Sequence, residues 1–159
     1  MGIELDVIHI SQFLKDLFDK KIFNFKNLDK NNLNVTYHDP CHLGRYSGEY
    51  DAPRDVINNF ANIVEMENIR ENSKCCGSGG GVKSAFPGIA SSIASERSKE
   101  AQDIGCNLLL TSCPFCKLNL DENSPLEVLD LSEFVLKFID NDKDCSKDSK
   151  NSKKIRESN

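Results

Sequence analysis

The strongest constraint on the fold is a regular alternation of short apolar segments with amphipathic segments along the chain. Residues 108–111 are apolar enough for the centre of a sheet, and Gly105 just before them is a typical helix stop. Strands that alternate with helices favour a mostly parallel sheet with helices on both faces, so we predict an α/β fold. The predicted strands are 6–10, 35–38, 63–66, 108–111 and 128–131. The first predicted helix begins after the cap residue Ser11. Four further helices are predicted over 53–60, 88–104, 114–120 and 132–139.

The length of 159 residues is typical of one domain, although the chain carries a weak internal repeat. Residues 6–15 and 127–136 share the order strand, serine and amphipathic helix. Either residues 1–20 are the stub or closing unit of a preceding repeat, or both segments follow a pattern common to α/β proteins. In the first interpretation the domain itself is 21–140. Residues 141–159 are almost entirely polar, so we expect a disordered tail there.

The charge and hydropathy of the chain exclude several classes of protein. The net charge of −5 argues against a nucleic-acid partner, which needs a basic face on the protein. No apolar run approaches the roughly 20 residues that a membrane-spanning helix needs. The first twenty residues contain Glu4, Asp6 and Asp16 and lack the basic start of a secretory signal. We therefore expect a cytoplasmic protein.

Seven cysteines are a high count, and an odd number without an export signal argues against a disulfide framework. Five of them follow predicted strands, in the pattern Cys-x33-Cys-Cys-x36-Cys-x2-Cys. Loops at the carboxyl edge of a parallel sheet converge, so we expect these five thiols to meet there. We expect Cys106 to be a core residue and Cys145 to be an exposed tail thiol. The five cysteines of the predicted site are Cys41, Cys75, Cys76, Cys113 and Cys116.

The local context of these cysteines favours binding through thiolates. Cys113 and Cys116 form a Cys-x2-Cys chelate at a helix start, where Pro114 suits the first helical position and the helix dipole lowers a thiol pKa. The glycines after Cys75 and Cys76 allow close approach of the backbone to a bound group and expose consecutive N–H groups. These glycines are Gly77, Gly79, Gly80 and Gly81.

Five convergent thiols predict a soft metal or an iron–sulfur cluster. Adjacent cysteines are unusual for a single metal ion, whereas two neighbouring thiolates can serve different irons of one cluster. Zinc, bound by four of the five cysteines, is the alternative. A zinc ribbon needs two Cys-x2-Cys pairs, however, and the chain has one.

For several polar residues beside the cysteines, the sequence leaves more than one role open. His38 and His42 flank Cys41 and either bind metal, move a proton or simply bond the loop backbone. Arg45 and Lys83 either bind an anionic substrate or balance the charge of a cluster. We assign Asp39 to the N–H groups of the turn that carries Cys41.

Three segments of the chain resemble the cysteine-rich CCG domain family. They are Asp39-Pro-Cys-His-Leu-Gly-Arg45, Arg70-Glu-Asn-Ser-Lys-Cys-Cys-Gly-Ser-Gly-Gly-Gly81 and Thr111-Ser-Cys-Pro-Phe-Cys116. The family includes the B and D chains of heterodisulfide reductases and the iron–sulfur subunits of glycolate or lactate oxidation, anaerobic glycerol-3-phosphate dehydrogenase and thiol-driven fumarate reductase. The three segments are closest to the archaeal heterodisulfide reductase D type, and there to its C-terminal repeat.

The resemblance implies a [4Fe-4S] cluster, cubane or non-cubane, that is held by the five cysteines. It also implies an oxidoreductase subunit that acts on a thiol or disulfide small molecule, as the methanogenic heterodisulfide reductases do. Partners would be other redox subunits, either a ferredoxin-like iron–sulfur chain or a flavoprotein, and a second CCG repeat. Family members usually carry two such repeats, and only one full repeat is present here, so a chain that acts alone is not expected.

Two alternatives to this function stay open at the level of sequence. One is an electron-transfer subunit for a flavin-dependent 2-hydroxy acid dehydrogenase, with glycolate or lactate as the substrate of the partner. The other is a zinc-stabilised interaction module without redox chemistry.

Overall fold

The structure, a computed structural model, describes residues 7–22 and 33–139. It contains a four-stranded sheet flanked by helices, which confirms the predicted α/β class. The strands are β1 (Asn34–His38), β2 (Asn62–Ile63), β3 (Leu108–Thr111) and β4 (Glu127–Asp130). The helices are α1 (Ile10–Asp19), α2 (Asp51–Ile57), α3 (Val82–Ala85), α4 (Pro87–Asp103), α5 (Pro114–Glu122) and α6 (Leu131–Leu136).

All strand pairs in the sheet are parallel, in the order β2-β1-β3-β4. From β1 the chain passes to β2 on one side, and from β2 it crosses through α4 to β3 on the other side of β1. The order therefore reverses between β1 and β3, and a parallel sheet opens a crevice beyond the carboxyl ends of such a strand pair.

Helices cover both faces of the sheet, because neighbouring side chains of a strand point to opposite faces. Leu108 and Leu110 of β3 pack on one face, whereas Leu109 packs on the other. The first face buries residues of α2 and α6, with Leu14 and Phe18 of α1 beside them. The second face buries residues of α4 and α5, together with the side chains of Cys76 and Cys116.

Local signals place the start of α5 and both ends of α4 within one residue of the prediction. The cap predicted at Ser11 is wrong, because His9 caps α1. Pro87 and Pro114 occupy the first turns of α4 and α5. Gly105 follows α4 with a φ of +78°, a left-handed conformation that favours glycine. Asp130 caps α6 by accepting a hydrogen bond from the Ser132 backbone N–H at 2.9 Å.

Two predicted strands differ from the structure. Residues 7–9 form no strand within the described ranges, and α1 begins at Ile10 with His9 as its N-cap, so the strand predicted over 6–10 is wrong there. The strand predicted over 63–66 is β2, which spans only Asn62–Ile63 at the sheet edge. Beyond it the Val64 backbone N–H still donates to the Val35 carbonyl oxygen at 2.8 Å, and Glu65 pairs with the Arg54 guanidinium.

The remaining expectations on organisation concern residues at the ends of the chain. The polar tail 141–159, with Cys145, lies outside the described residues. Within those residues, no helix is long and apolar enough to cross a membrane.

Candidate metal centre

The five cysteines singled out from the sequence line a single cavity of about 300 Å³. Cys41 follows β1 and Cys113 follows β3, so the crevice where the strand order reverses supplies both. The long loop between β2 and α3 brings Cys75 and Cys76 to the same place, and the first turns of α5 bring Cys116. The topology thus explains why residues up to 75 positions apart meet.

Exposure of the five thiols increases from the floor of the cavity to its mouth. Cys76 and Cys116 are buried, Cys41 and Cys113 are half-buried, and Cys75 is exposed. The sulfurs of the buried pair lie within 4.8 Å of each other and of a ring nitrogen of His38, which is also buried. Three donor atoms of soft or borderline character therefore already converge at the floor.

Hydrogen bonds among the sulfurs lower the thiol pKa of two cysteines and raise that of two others. The pKa of Cys113 falls to about 6, because the Cys116 thiol and the backbone N–H groups of Cys116 and Phe115 donate to it against the cost of burial. Hydrogen bonds from Cys116 and Cys75 likewise lower the pKa of Cys76. The pKa values of Cys75 and Cys116 rise, since each donates its proton to a neighbouring sulfur. Negative charge thus concentrates on Cys76 and Cys113.

The glycine-rich loop requires glycine at defined positions. Gly77 has a φ of +82°, and a Cβ atom there would lie 2.8 Å from the Ala90 carbonyl oxygen. Its backbone N–H donates to the Cys75 sulfur at 3.3 Å. Gly80 and Gly81 also have positive φ, and together with Gly79 they line the cavity with no atom within 4 Å of a built Cβ. Three of the four predicted glycines therefore line the cavity, whereas Gly77 packs against α4.

Ser78 is a cavity residue that the sequence analysis missed. It is buried, it lines the cavity, and its Oγ has no hydrogen-bond partner among the described residues. A buried hydroxyl without a partner is costly, so a ligand with acceptor atoms would satisfy it. Its position inside the glycine run is a signal that sequence reasoning passed over.

Asn119 is a second residue that the sequence did not reveal. This fully buried amide donates to the Cys76 carbonyl oxygen at 2.7 Å and to the Ala90 carbonyl oxygen at 3.1 Å. It thereby ties the Cys75–Cys76 loop to α4 from its own position on α5. Its partner is 43 residues away, which no local pattern indicates.

The structure assigns Asp39 to a different partner from the one expected. Its carboxylate accepts two hydrogen bonds from the buried Arg54 guanidinium, at 2.7 and 2.9 Å, and one from the Arg70 backbone N–H at 2.8 Å. Arg54 also donates to Glu65 at 2.6 Å. The expected bonds from Asp39 to the Cys41 turn are therefore replaced by a brace between the end of β1 and the loop after β2.

The two candidate cations of the site also have protein partners. Arg45 donates to the carbonyl oxygens of Glu71 and Ser73, at 3.2 and 2.7 Å, and so holds the loop that precedes Cys75. The Lys83 ammonium contacts the Glu122 carboxylate and donates to Asn119 Oδ1 at 2.8 Å. Both side chains stabilise the walls of the site rather than face its sulfurs.

The remaining predicted neighbours lie at the mouth or in the core. His42 is exposed, its Nδ1 lies 3.5 Å from the Cys41 sulfur, and its ring stacks on Tyr46. Phe115 lines the cavity with an exposed ring. Cys106 is buried away from the cavity lining, as expected for a core residue, and burial raises its thiol pKa.

Comparison with known proteins shows which family the chain resembles. The sequence model of the CCG family, described as a cysteine-rich domain, matches residues 35–121. Over 125 residues the chain is 48% identical to the D chain of the dihydromethanophenazine:CoB–CoM heterodisulfide reductase of Methanosarcina acetivorans, covering 76% of this chain and 30% of that protein. The likeness to the CCG domain that the three segments indicate is thereby confirmed.

More distant relatives carry related names. The B chain of the CoM/CoB fumarate reductase of Methanothermobacter marburgensis is 40% identical over 130 residues, covering 80% of this chain and 25% of that protein. The probable iron-sulfur-binding oxidoreductase FadF of Bacillus subtilis is 32% identical over 127 residues, covering 77% of this chain and 17% of that protein. The chain thus spans about a third or less of the length of these relatives.

Proposed function

Because the chain belongs to the cysteine-rich CCG domain family, we propose that it binds one [4Fe-4S] cluster as part of an oxidoreductase of the heterodisulfide reductase kind. The observation that carries the proposal is the convergence of five thiols on one cavity. The proposed ligands are Cys41, Cys75, Cys76, Cys113 and Cys116. The proposed wall of the cluster site is Gly77, Gly79, Gly80 and Gly81.

The residues of the cavity fit such a group. Iron–sulfur clusters are held by thiolates, and the low pKa values of Cys76 and Cys113 favour the thiolate form. The unpartnered Ser78 hydroxyl adds a donor for a sulfide or thiolate acceptor. Gly80 and Gly81 line the cavity, and a Cβ atom at either would meet no atom within 4 Å. Five thiolates for four irons suit a cubane with one extra thiolate or a non-cubane form.

The cluster would supply one-electron redox chemistry to a thiol or disulfide substrate. The chain contributes an entrance for such a substrate, because Cys75 is exposed and Phe115 and His42 border the mouth of the cavity. The buried floor at Cys76 and Cys116 excludes water from the opposite side. A substrate sulfur would therefore approach from the side of Cys75.

We further propose that the chain works with other redox subunits, one of which supplies a second CCG repeat. The two reductase relatives named above are parts of multi-subunit enzymes, and the chain spans about a third or less of their length. The N-terminal segment supports the proposal of a preceding repeat, because α1 and α6 both start with a capping box. His9 and Gln12 form it in α1, and Asp130 and Glu133 form it in α6. Residues 1–20 would then close a preceding repeat.

Metal analysis of protein purified without oxygen tests the proposal directly. We expect about four irons and about four acid-labile sulfides per chain, as a [4Fe-4S] cluster requires. The variant Cys75→Ser should lose iron or change its reduction behaviour, whereas the control Cys106→Ser should retain both, since Cys106 lies apart from the cavity lining. Full iron content and unchanged reduction in Cys75→Ser would contradict the assignment of five ligands.

A zinc module, bound by four of the five cysteines, is the second candidate, and the Cys76 and Cys116 sulfurs, which lie within 4.8 Å of each other, favour it. Cys113, which hydrogen-bonds Cys116, would be a third ligand, and Cys41 or Cys75 the fourth. About one zinc per chain without sulfide would support this candidate and remove the redox function.

A further inference from the structure

A buried arginine lies behind the sulfurs of the site and is not one of their proposed ligands. Arg97 on α4 is fully buried, and each nitrogen of its guanidinium has a partner. Nε donates to His38 Nδ1 at 3.2 Å, Nη1 to Glu100 at 2.5 Å and Nη2 to the Ser73 hydroxyl at 3.3 Å. An arginine so enclosed keeps one orientation, because turning it would leave a buried charge without partners.

This contact determines which nitrogen of His38 carries the proton. A guanidinium only donates hydrogen bonds, so the Nδ1 atom that faces Arg97 must accept with its lone pair. A neutral imidazole with a free lone pair on Nδ1 has its proton on Nε2. Because Nδ1 carries no proton, the ring holds a single proton and is neutral.

The other side of the ring faces a proposed cluster ligand. A ring nitrogen of His38 lies within 4.8 Å of the Cys76 and Cys116 sulfurs, and its interaction with Cys76 is one of the causes that lower the pKa of that thiol. Since Arg97 occupies Nδ1, Nε2–H is the group that points to Cys76. A nitrogen that carries a proton has no lone pair for a metal, so the same geometry argues against His38 as a ligand.

We propose that His38 is a fixed N–H donor to the Cys76 sulfur, that Arg97 holds it in this role, and that the bond raises the reduction potential of the bound cluster. This inference rests on the proposed cluster. Reduction adds one electron to the site and makes its sulfurs more negative. A hydrogen-bond donor stabilises the more negative state, and hydrogen bonds to cluster sulfurs are known to set such potentials.

Two variants of His38 test the contact with Arg97 and the contact with Cys76 separately. Asparagine places its amide near Nδ1, so His38→Asn keeps a partner for Arg97 and loses the donor to Cys76. Glutamine reaches the position of Nε2, so His38→Gln retains a donor to the sulfur. We expect His38→Asn to lower the equilibrium constant of one-electron reduction about tenfold, or about 59 mV, and His38→Gln to restore most of it.

Redox titration of iron-loaded protein, followed by electron paramagnetic resonance, measures these potentials. Equal potentials in wild type and His38→Asn would overturn the inference. So would a loss of iron from His38→Asn that His38→Gln does not repair, because that result identifies a metal ligand.

A second measurement needs neither a variant nor a cluster. The chain has three histidines, so nitrogen-15 spectra of the iron-free full chain can be assigned ring by ring. We expect His38 to carry its proton on Nε2. A proton on Nδ1 overturns the inference even if iron binds. Absence of iron from the wild-type chain instead overturns the proposed function, and with it the effect on potential, so the two failures are distinguishable.

Discussion

At the scale of single residues, Gly77 is the position where the backbone of the site tolerates least change. Its positive φ and its approach to the Ala90 carbonyl both exclude a Cβ atom. We expect Gly77→Ala to lower the free energy of unfolding of the iron-free chain by about 2 kcal/mol, since a strained non-glycine backbone costs about 1–3 kcal/mol and the contact adds to it. Urea unfolding under reducing conditions measures the loss.

Gly79→Ala is the matched control for that prediction. Gly79 does not have a positive φ, and a Cβ there meets no atom within 4 Å. Its free energy of unfolding should stay close to that of the wild type. An equal loss of unfolding free energy in both variants would contradict the prediction, because it would mean that any side chain in the loop is destabilising, whatever the geometry at Gly77.

Glu100 provides a prediction of pH dependence. Its hydrogen bonds from Asn68 and Arg97, with the charge of Lys74 nearby, lower the pKa of the carboxyl although burial opposes them. A lowered folded pKa gives stability that is present above the unfolded pKa and is lost as pH falls through the folded pKa. Glu100→Gln should therefore be less stable than wild type at neutral pH, and the difference should shrink in acid.

Urea unfolding at pH 7 and at successively lower pH values checks this sign. A difference that grows as the pH falls would contradict the assigned shift. Replacement of Glu96, an exposed residue on the same helix, serves as the control.

Sequence reasoning at this scale found the cysteines and glycines because their positions follow from strand ends and from local spacing. It could not find the contact between His38 and Arg97, which joins residues 59 positions apart. Nor could it find Asn119, because the Cys76 carbonyl oxygen to which this amide donates lies in a loop 43 residues earlier in the chain. Asp39 was given the wrong partner for the same reason, since Arg54 reaches it only after α2 has packed against β1.

At the scale of elements, the cap of α6 is a clear case of local sequence that determines a helix start. The Asp130 carboxylate accepts from the Ser132 backbone N–H, and Glu133 reaches back to the Asp130 N–H at 2.8 Å. We expect Asp130→Ala to cost about 1 kcal/mol of stability. Asp130→Asn should retain most of it, because asparagine caps about as well. Thermal or urea unfolding that ranks the two variants equally would contradict this role.

The strands differ in how well the sequence predicts them, and edge position alone does not explain the difference, because the edge strand β4 spans four residues. β3 has a partner on each side and appears over the predicted residues 108–111. β2 has one partner and ends after two residues. Residues 7–9 pair with none of the described strands, and there His9 caps α1 instead. An alternating pattern predicts a strand only where a neighbouring strand completes its hydrogen bonds.

At the scale of the whole molecule, the two faces of the sheet have different relations to the site. Leu120 belongs to the face that buries Cys76 and Cys116, whereas Phe134 belongs to the opposite face, and both are fully buried. Leu120→Ala should cost about 2–5 kcal/mol and Phe134→Ala about 3–5 kcal/mol. We expect only Leu120→Ala to increase the loss of iron per folded chain, because it loosens α5 beneath Cys116.

Iron retention during dialysis, compared with urea unfolding of the same samples, tests this separation. Similar iron loss in both variants would mean that general stability, and not the packing of one face, determines retention.

The position of β1 between β2 and β3 also has a consequence for biosynthesis. Cys41, Cys75 and Cys76 leave the ribosome before the strand that pairs with the other side of β1, and Cys113 and Cys116 follow that strand. A nascent chain thus presents three of the five thiols while half of the crevice is still missing. Complete loading with the proposed cluster would therefore wait until α5 has been synthesised and has folded, and cofactor delivery would follow the folding of this sheet.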